Sequence, residues 1–118
     1  MSTILKDTHG HNIGDAVLRE MSALVRRNIR DSDFVVRWGG EEFIIVVKVH
    51  SLEDLLMIAH KFRQKVELNR FSSIGHLTCS FGVAIHHEKE TLERVVGRAD
   101  EALYKAKEGG RNRVDVSV

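Results

Sequence analysis

Two carboxylates follow directly behind a pair of glycines in the run Arg37-Trp38-Gly39-Gly40-Glu41-Glu42-Phe43. Glycine reaches positive φ values without strain, so Gly39-Gly40 predicts a tight turn whose backbone a large, flat ligand can approach. A carboxylate beside such a turn can hold Mg²⁺ against the phosphates of that ligand. Because neighbouring strand residues point to opposite faces, we expect at most one of Glu41 and Glu42 to serve a given metal. By itself, this run is also typical of a solvated hairpin tip.

The elements that must position this turn are β-strands. Residues 34–36 and 43–47 are β-rich runs on either side of the glycines, and together they predict a hairpin. Residues 77–85 alternate large apolar with small side chains, which predicts a strand with a helix packed against its small-residue face. Residues 111–118 predict a short closing strand. Residues 1–6 are not expected to form an element.

Three amphipathic helices are predicted from apolar residues that recur at three- and four-residue steps. The first is capped at Asn12 and ends near Asn28. The second begins at Ser51, and the third begins at Thr91 and ends before Gly109. The resulting order is α-β-β-α-β-α-β, which predicts an α/β domain whose sheet contains antiparallel pairs.

Composition excludes several classes of protein. At 118 residues the chain is expected to be one domain, residues 1–118. A net charge of +1 argues against a nucleic-acid or membrane-surface binder, and no run approaches the ~20 apolar residues of a membrane span. The single Cys79 fits a reducing, cytoplasmic setting. The seven histidines lack the companion spacing of a zinc site.

Three motifs resemble those of one family, the GGDEF diguanylate cyclases. Gly39-Gly40-Glu41-Glu42-Phe43 resembles the family signature in its Glu-Glu variant. Residues 7–15 (DTHGHNIGD) resemble the family's Asn-Asp-x-Tyr-Gly-His-x-x-Gly-Asp segment from its second residue onward. Residues 98–107 (RADEALYKAK), followed by Gly-Arg-Asn at 110–112, resemble its C-terminal motif. The motifs occur in the family's order and cover nearly the whole chain.

The resemblance implies that two GTP molecules condense into cyclic di-GMP, with one GTP bound by each half of an antiparallel dimer. Carried over by position, Glu41 and Glu42 would be catalytic, and Glu41 would be a ligand of Mg²⁺ or Mn²⁺. Gly39 would lie against the guanine, with Gly40 beside it in the substrate site. Asp15 would hydrogen-bond the guanine edge.

The resemblance also implies two further groups of site residues. Lys107 and Arg111 would hold the terminal phosphates, although basic residues in a last helical turn are also ordinary partners of the helix dipole. Arg30 and Asp33 match the family's RxxD product-inhibition site, where cyclic di-GMP binds as feedback. Lys61 stands where an arginine usually completes that site, and lysine cannot make the bidentate contact of arginine.

The resemblance implies a nucleotidyl-cyclase or palm-like fold with a mixed, largely antiparallel sheet flanked by helices. The family domain runs longer at its N-terminus, so we expect a truncated domain that lacks the first strand, with its metal-binding Asp and phosphate-contacting Lys. Lys6 stands where the guanine-reading Asn is expected. A missing central strand favours a homodimer or a strand-exchanged oligomer. The family also has sensory domains upstream of this region.

These expectations leave two main functions open. The first is a diguanylate cyclase domain that is weakly active or inactive as the 118-residue chain. The alternative is a non-catalytic module that senses cyclic di-GMP through Arg30 and Asp33. A dimerisation scaffold that binds no nucleotide is a third.

Overall fold

A five-stranded sheet with helices on both faces forms the computed structural model of the chain. The structure describes residues 2–8, 15–38, 42–71 and 75–117, with the backbone alone for 2–8, 15, 37 and 38. The elements, in chain order, are β1 (Ser2–Thr8), α1 (Asp15–Arg27), β2 (Phe34–Trp38), β3 (Glu42–Val47), α2 (Leu52–Leu68), β4 (Cys79–Ile85), α3 (Leu92–Glu108) and β5 (Val114–Ser117).

The first strand corrects two expectations from the sequence. Residues 1–6 were expected to form no element and the sheet to lack its first strand, yet Ser2–Thr8 is the central strand in the order β2-β3-β1-β4-β5. It pairs antiparallel with β3 from Ser2↔Val47 to Asp7↔Glu42, and with β4 from Ser2↔Ile85 to Thr8↔Cys79. Without β1, the facing edges of β3 and β4 would leave their backbone groups unpaired, so tertiary context selects a strand here.

The predicted mixed, largely antiparallel sheet is confirmed. β2 pairs antiparallel with β3, and β5 alone runs parallel to its neighbour β4. Strand exchange between chains was expected because the sheet was expected to lack its central strand. β1 of the same chain fills that position. A homodimer stays a prediction.

Helix ends follow the predicted capping chemistry where the structure describes them. Ser51 Oγ accepts from the backbone N–H of Asp54 at 3.1 Å, and Thr91 Oγ1 accepts from that of Arg94 at 3.2 Å. The backbone N–H of Gly109 bonds to the carbonyl of Lys105 and ends α3 as predicted. The predicted cap Asn12 lies outside the described residues. No helix in the described part of the chain is long and apolar enough to cross a membrane.

The two faces of the sheet carry separate cores. α1 and α2 cover the face that presents Phe43, Ile45, Phe81 and Val83. α3 covers the other face, where Ala84 packs with the buried residues Val95, Ala99 and Leu103. The prediction that a helix packs against the small-residue face of residues 77–85 is therefore confirmed.

Gly82 sets how closely α3 approaches the sheet. A Cβ placed on Gly82 would lie 2.1 Å from the carbonyl oxygen of Ala99 and 2.3 Å from the backbone nitrogen of Leu103. Both neighbours are backbone atoms, which cannot rotate away as a flexible side chain could. The position of α3, including its C-terminal end, depends on glycine here.

We expect Gly82→Ala to destabilise the fold by at least about 3 kcal/mol, the upper end for overpacking, because β4 and α3 must separate. Gly97→Ala is the matched control, since a Cβ on this exposed helical glycine meets nothing within 4 Å. It should stabilise α3 by about 0.5–1 kcal/mol. Chemical denaturation measures both, and equal effects of the two substitutions would contradict this account of the β4–α3 contact.

Candidate active site

β2 and β3 pair as an antiparallel hairpin on either side of the double-glycine signature. Trp38 and Glu42 are register partners that close the hairpin, and Glu42 pairs on its other side with Asp7 of β1. Glu42 is half-buried at the first position of β3. Three residues of the predicted turn lie outside the described residues: Gly39, Gly40 and Glu41. The structure thus describes the strand residues on either side of the turn.

One row of register partners crosses all five strands. Its members are Arg37, Phe43, Lys6, Phe81 and Val114. The end of the hairpin, the C-terminal end of β1 and the start of β5 therefore lie at one end of the sheet. Asp15 begins α1, the element that follows β1, and only its backbone is described. The connections that carry most of the predicted substrate residues therefore lie at the same edge of the sheet.

The turn between α3 and β5 carries the predicted phosphate-binding residues. Lys107 is half-buried in the last turn of α3. Arg111 and Asn112 follow with φ values of 63° and 47°, a left-handed conformation that asparagine tolerates better than most residues. The backbone N–H of Arg111 also bonds to the carbonyl of Ala106 at 3.0 Å. Arg111 is thereby held close behind the helix end.

Side-chain bonds to α2 fix this turn from the outside. The amide nitrogen of Asn112 donates to Glu67 Oε2 at 2.7 Å, and its amide oxygen accepts from Arg63 Nη1 at 3.2 Å. Arg63 and Glu67 also form an ion pair at 3.7 Å. The position of Arg111 is therefore set by α2 as well as by α3.

An apolar groove of about 520 Å³ borders the hairpin on the α3 side. Its floor is the sheet and its wall is the first half of α3, with Glu42 and Asp100 among its polar residues. This groove was not predicted from the sequence, although the β-rich runs placed Val36, Ile44 and Val46 on strands. Which apolar strand positions a helix leaves uncovered depends on where α3 lies.

Arg30 and Asp33 form a close pair before β2. Asp33 Oδ2 accepts from the backbone N–H of Arg30 at 2.9 Å and from its Nε at 3.3 Å, and Oδ1 accepts from Nη2 at 3.3 Å. The Asp33 side chain is only 4% exposed, whereas that of Arg30 is 60% exposed. The predicted RxxD pair is therefore brought together, with the arginine on the outside.

Lys61 does not line the pocket beside Arg30. That pocket, of about 200 Å³, is lined by Arg30 and by residues 48–50, 54, 57 and 58. Lys61 is exposed on α2 and lines a different pocket of about 360 Å³, together with Leu24 and Lys65. The structure places the third predicted inhibitory residue in a neighbouring depression on the same side of the sheet.

The sequence of the chain matches a known family over almost its whole length. Residues 3–113 match the family described as "Diguanylate cyclase, GGDEF domain". The chain belongs to the GGDEF diguanylate cyclase family. The resemblance stated from the three motifs is thus confirmed.

Relatives of known activity share substantial identity with this GGDEF domain. Diguanylate cyclase DosC of Escherichia coli K12 is 41% identical over 116 residues, which cover 95% of this chain and 25% of DosC. Diguanylate cyclase A of Treponema denticola is 37% identical over 117 residues, covering 96% of this chain and 32% of that protein. The chain therefore spans about a quarter to a third of the length of these relatives.

Solved GGDEF structures have the same fold. The active GGEEF domain of a diguanylate cyclase from Vibrio cholerae superposes with a TM-score of 0.85 at 34% identity, covering 99% of this chain and 82% of that one. The GGDEF domain of DgcB from Caulobacter crescentus, solved in complex with c-di-GMP, gives a TM-score of 0.87 at 28% identity, covering 98% and 77%.

Arg98, which opens the C-terminal GGDEF motif, has a structural role. Its Nη2 and Nε donate to the two carboxylate oxygens of Glu90 at 2.7 and 2.8 Å. It also donates to the backbone carbonyls of Ile85 and Ser117, at the ends of β4 and β5. Arg98 therefore ties α3 to both strands, and no sequence pattern marked Glu90 as its partner.

The same hydrogen bonds set the protonation of Glu90. The contact with Arg98 lowers the pKa of the Glu90 carboxyl from 4.5 to about 2, and the backbone N–H of His87 adds to this effect. The pKa of Arg98 is raised in return. A carboxyl whose pKa is lower in the folded than in the unfolded state stabilises the fold above the unfolded value. The stabilisation is lost as the pH falls toward the folded value.

We expect the pair to make stability depend on pH between about 4.5 and 2. Glu90→Gln should lower the free energy of unfolding at pH 7, where the charged pair contributes fully, and the gap to wild type should close as the pH approaches 2. Urea titrations at a series of pH values measure this gap. A gap as large at pH 2 as at pH 7 would show that the charge of Glu90 is not the cause.

Proposed function

We propose that this chain is the GTP-condensing domain of a diguanylate cyclase, which joins two GTP molecules into cyclic di-GMP. The observation that carries the proposal is the row of register partners across the sheet. It brings the signature hairpin, the end of β1 and the turn before β5 to one edge, so the residues assigned to guanine and phosphate can act on one nucleotide. Sequence identity to diguanylate cyclases supports the same activity.

The residues at this edge suit a divalent cation, which we propose is Mg²⁺ or Mn²⁺. Carboxylate oxygens are the donors that these hard cations prefer. Glu42 lies at the hairpin, and Glu41, the assigned ligand, precedes it outside the described residues. The described residues contain no group of three or more His, Cys, Asp or Glu side chains that could hold a metal. A bound cation would neutralise charge on the triphosphate.

The protein's part in the reaction is to bind and orient the nucleotide. In the condensation, the 3′-hydroxyl oxygen of each GTP attacks the α-phosphorus of the other in line, each hydroxyl gives up its proton, and two pyrophosphates leave. Gly39 and Gly40 allow the guanine to approach the turn, and Asp15 accepts from its edge. Lys107 and Arg111 hold the terminal phosphates and so stabilise the leaving pyrophosphate.

Each domain of this kind would bind one GTP, so turnover needs two copies in an antiparallel homodimer. We propose a cytoplasmic location and control by a sensory domain in the full-length protein. The 118-residue chain by itself should be weakly active or inactive, because it has no counterpart of the family's upstream metal-binding Asp and phosphate-contacting Lys.

Lys107→Ala should weaken binding of a non-hydrolysable GTP analogue roughly tenfold or more, the usual cost of a lost charge-assisted hydrogen bond. Lys105→Ala is the matched control, since Lys105 is an exposed lysine of the same last turn that has no assigned role. Calorimetry with Mg²⁺ measures both affinities. Wild-type affinity in the Lys107 variant would remove Lys107 from the phosphate site.

A second candidate function is a cyclic di-GMP sensor without turnover. The observation in its favour is the Arg30–Asp33 pair, in which a buried carboxylate holds an exposed guanidinium in place. Such a guanidinium offers a planar fork to phosphate or guanine. The same pair would serve a cyclase as its product-inhibition site.

One experiment separates the cyclase from the sensor. Cyclic di-GMP production from GTP and Mg²⁺ is measured for the 118-residue chain and for a version extended at its N-terminus by a family segment that carries the metal-binding Asp and the phosphate-contacting Lys. The cyclase predicts little or no product from the first and clear turnover from the second. Robust turnover by the 118-residue chain would contradict the predicted low activity. No turnover by either, with cyclic di-GMP binding that Arg30→Ala abolishes, would identify a sensor.

A further inference from the structure

The apolar groove beside α3 and the outer side of α2 complement each other in charge and in apolar character. We propose that the groove of one copy of this chain binds α2 of a second copy, so that copies associate head to tail. This contact goes beyond the proposed function. It needs no nucleotide, and it is separate from the antiparallel homodimer in which two GTP molecules would react.

The groove is open because the two faces of the sheet are covered unequally. α1 and α2 cover one face, whereas α3 alone covers the other and leaves the groove over β2 and β3. Six large apolar side chains are exposed in the described part of the chain, and four of them lie in this groove or beside it: Phe34, Val36, Leu92 and Tyr104. Val36 and Leu92 line it. Phe34 pairs with Val46, another lining residue, and Tyr104 follows the lining residues of α3 by one turn. A contiguous exposed apolar patch of this kind marks an interaction surface.

Gly97 leaves room for a second helix against α3. It lies in the wall of the groove, and a Cβ placed on it would meet nothing within 4 Å. Glycine in the middle of a helix is less favourable than alanine, and nothing in the described part of the chain requires it at this position. The distance between two packed helices depends on the side chains at their contact. A helix in the groove can therefore approach α3 closely at Gly97.

The polar residues that line the groove are all acids: Glu42, Glu93 and Asp100. Glu93 and Asp100 are exposed, and neither carboxylate accepts a hydrogen bond from the residues that the structure describes. An occupant must therefore combine apolar side chains with basic ones. A helix suits the space, because it would lie beside α3 as α1 lies beside α2 on the other face.

The outer side of α2 has this combination. Met57, Lys61, Gln64 and Leu68 are exposed and recur at three- and four-residue steps, and they are called the α2 stripe here. Met57 and Leu68 are the other two exposed large apolar residues of the described part, and Leu68 is 78% exposed. Lys61 and its neighbour Lys65 form no side-chain bond to a described residue. The α2 stripe thus offers two lysines between apolar ends.

The two surfaces also match in length. At about 1.5 Å per residue, the α2 stripe spans about 16 Å from Met57 to Leu68, and α3 spans about 18 Å from Leu92 to Tyr104. The α2 stripe and the groove lie on opposite faces of the sheet. One copy would therefore give α2 to one neighbour and its groove to another. Such a heterologous contact propagates unless the rotation between copies closes a ring.

Sedimentation velocity on a concentration series of the 118-residue chain tests the contact. The apparent mass of the wild type should rise with concentration and fall with added salt, because salt screens the attraction between lysines and carboxylates. Lys61→Glu and Asp100→Lys should each raise the dissociation constant about tenfold or more, since like charges would then face each other. Arg19→Glu and Glu101→Lys are the controls, because they make the same charge changes at exposed helix positions outside both surfaces. Melting temperatures check that each variant is folded.

A mixture of the two charge variants tests whether these surfaces meet each other. The groove of the Lys61→Glu variant and α2 of the Asp100→Lys variant are both unchanged. The mixture should therefore associate with an affinity close to that of the wild type, although neither variant does so alone. A mixture that stays dissociated would overturn α2 as the occupant of the groove. A wild type that is monomeric over the whole series, or association that both variants retain in full, would overturn the proposal as well.

Gly97→Gln tests the close approach without a change of charge. The longer side chain would stand between α3 and the docked helix, so association should weaken about tenfold. The melting temperature should rise, because glutamine favours a helix more than glycine does. A wild-type dissociation constant in this variant would overturn the placement of α2 against Gly97.

Discussion

The backbone ladder of β1 is the constraint on which the proposed active site depends. β1 is paired on both sides, so it fixes the register of β3 and β4 relative to each other. β3 carries the hairpin on one side of β1, and β4 fixes β5 on the other. A shift of one residue in either pairing would move the hairpin tip relative to the turn that holds Arg111, and would turn strand side chains to the opposite face. The pairings of β1 therefore determine how the residues assigned to guanine are placed relative to those assigned to the phosphates.

A second constraint is the position of α3 and of the turn that follows it. α3 carries Lys107, and its position depends on backbone atoms packed against Gly82. Arg98 ties the same helix to the ends of β4 and β5, and Asn112 ties the turn behind it to α2. These contacts decide where the residues assigned to the phosphates stand. Residues of the C-terminal motif thus divide into those that would touch nucleotide and those that hold the helix.

Local sequence patterns predicted most of the elements, because their signals are carried by the residues themselves. Helix caps such as Ser51 and Thr91 depend on bonds within one turn. The alternation in β4 correctly predicted a closely packed helix, because small side chains such as Gly82 and Ala84 leave room for one. β1 was missed since residues 2–8 carry no comparable pattern. Their strand is selected by two neighbouring edges that are far away in sequence.

The site shows the same division between local and non-local information. Arg30 and Asp33 are three positions apart in the sequence, and the family motif that the resemblance supplied for them is local, so the two side chains meet as expected. Lys61 was assigned to the Arg30 site from its position in the sequence of α2. Which residues line the pocket beside Arg30, however, depends on the path of the connection after β3. That connection brings the Lys48 carbonyl to the guanidinium and the first turn of α2 to the pocket. A family's ligand contacts can therefore be carried over by position where they are local. Contacts between distant elements depend on how those elements pack in the fold.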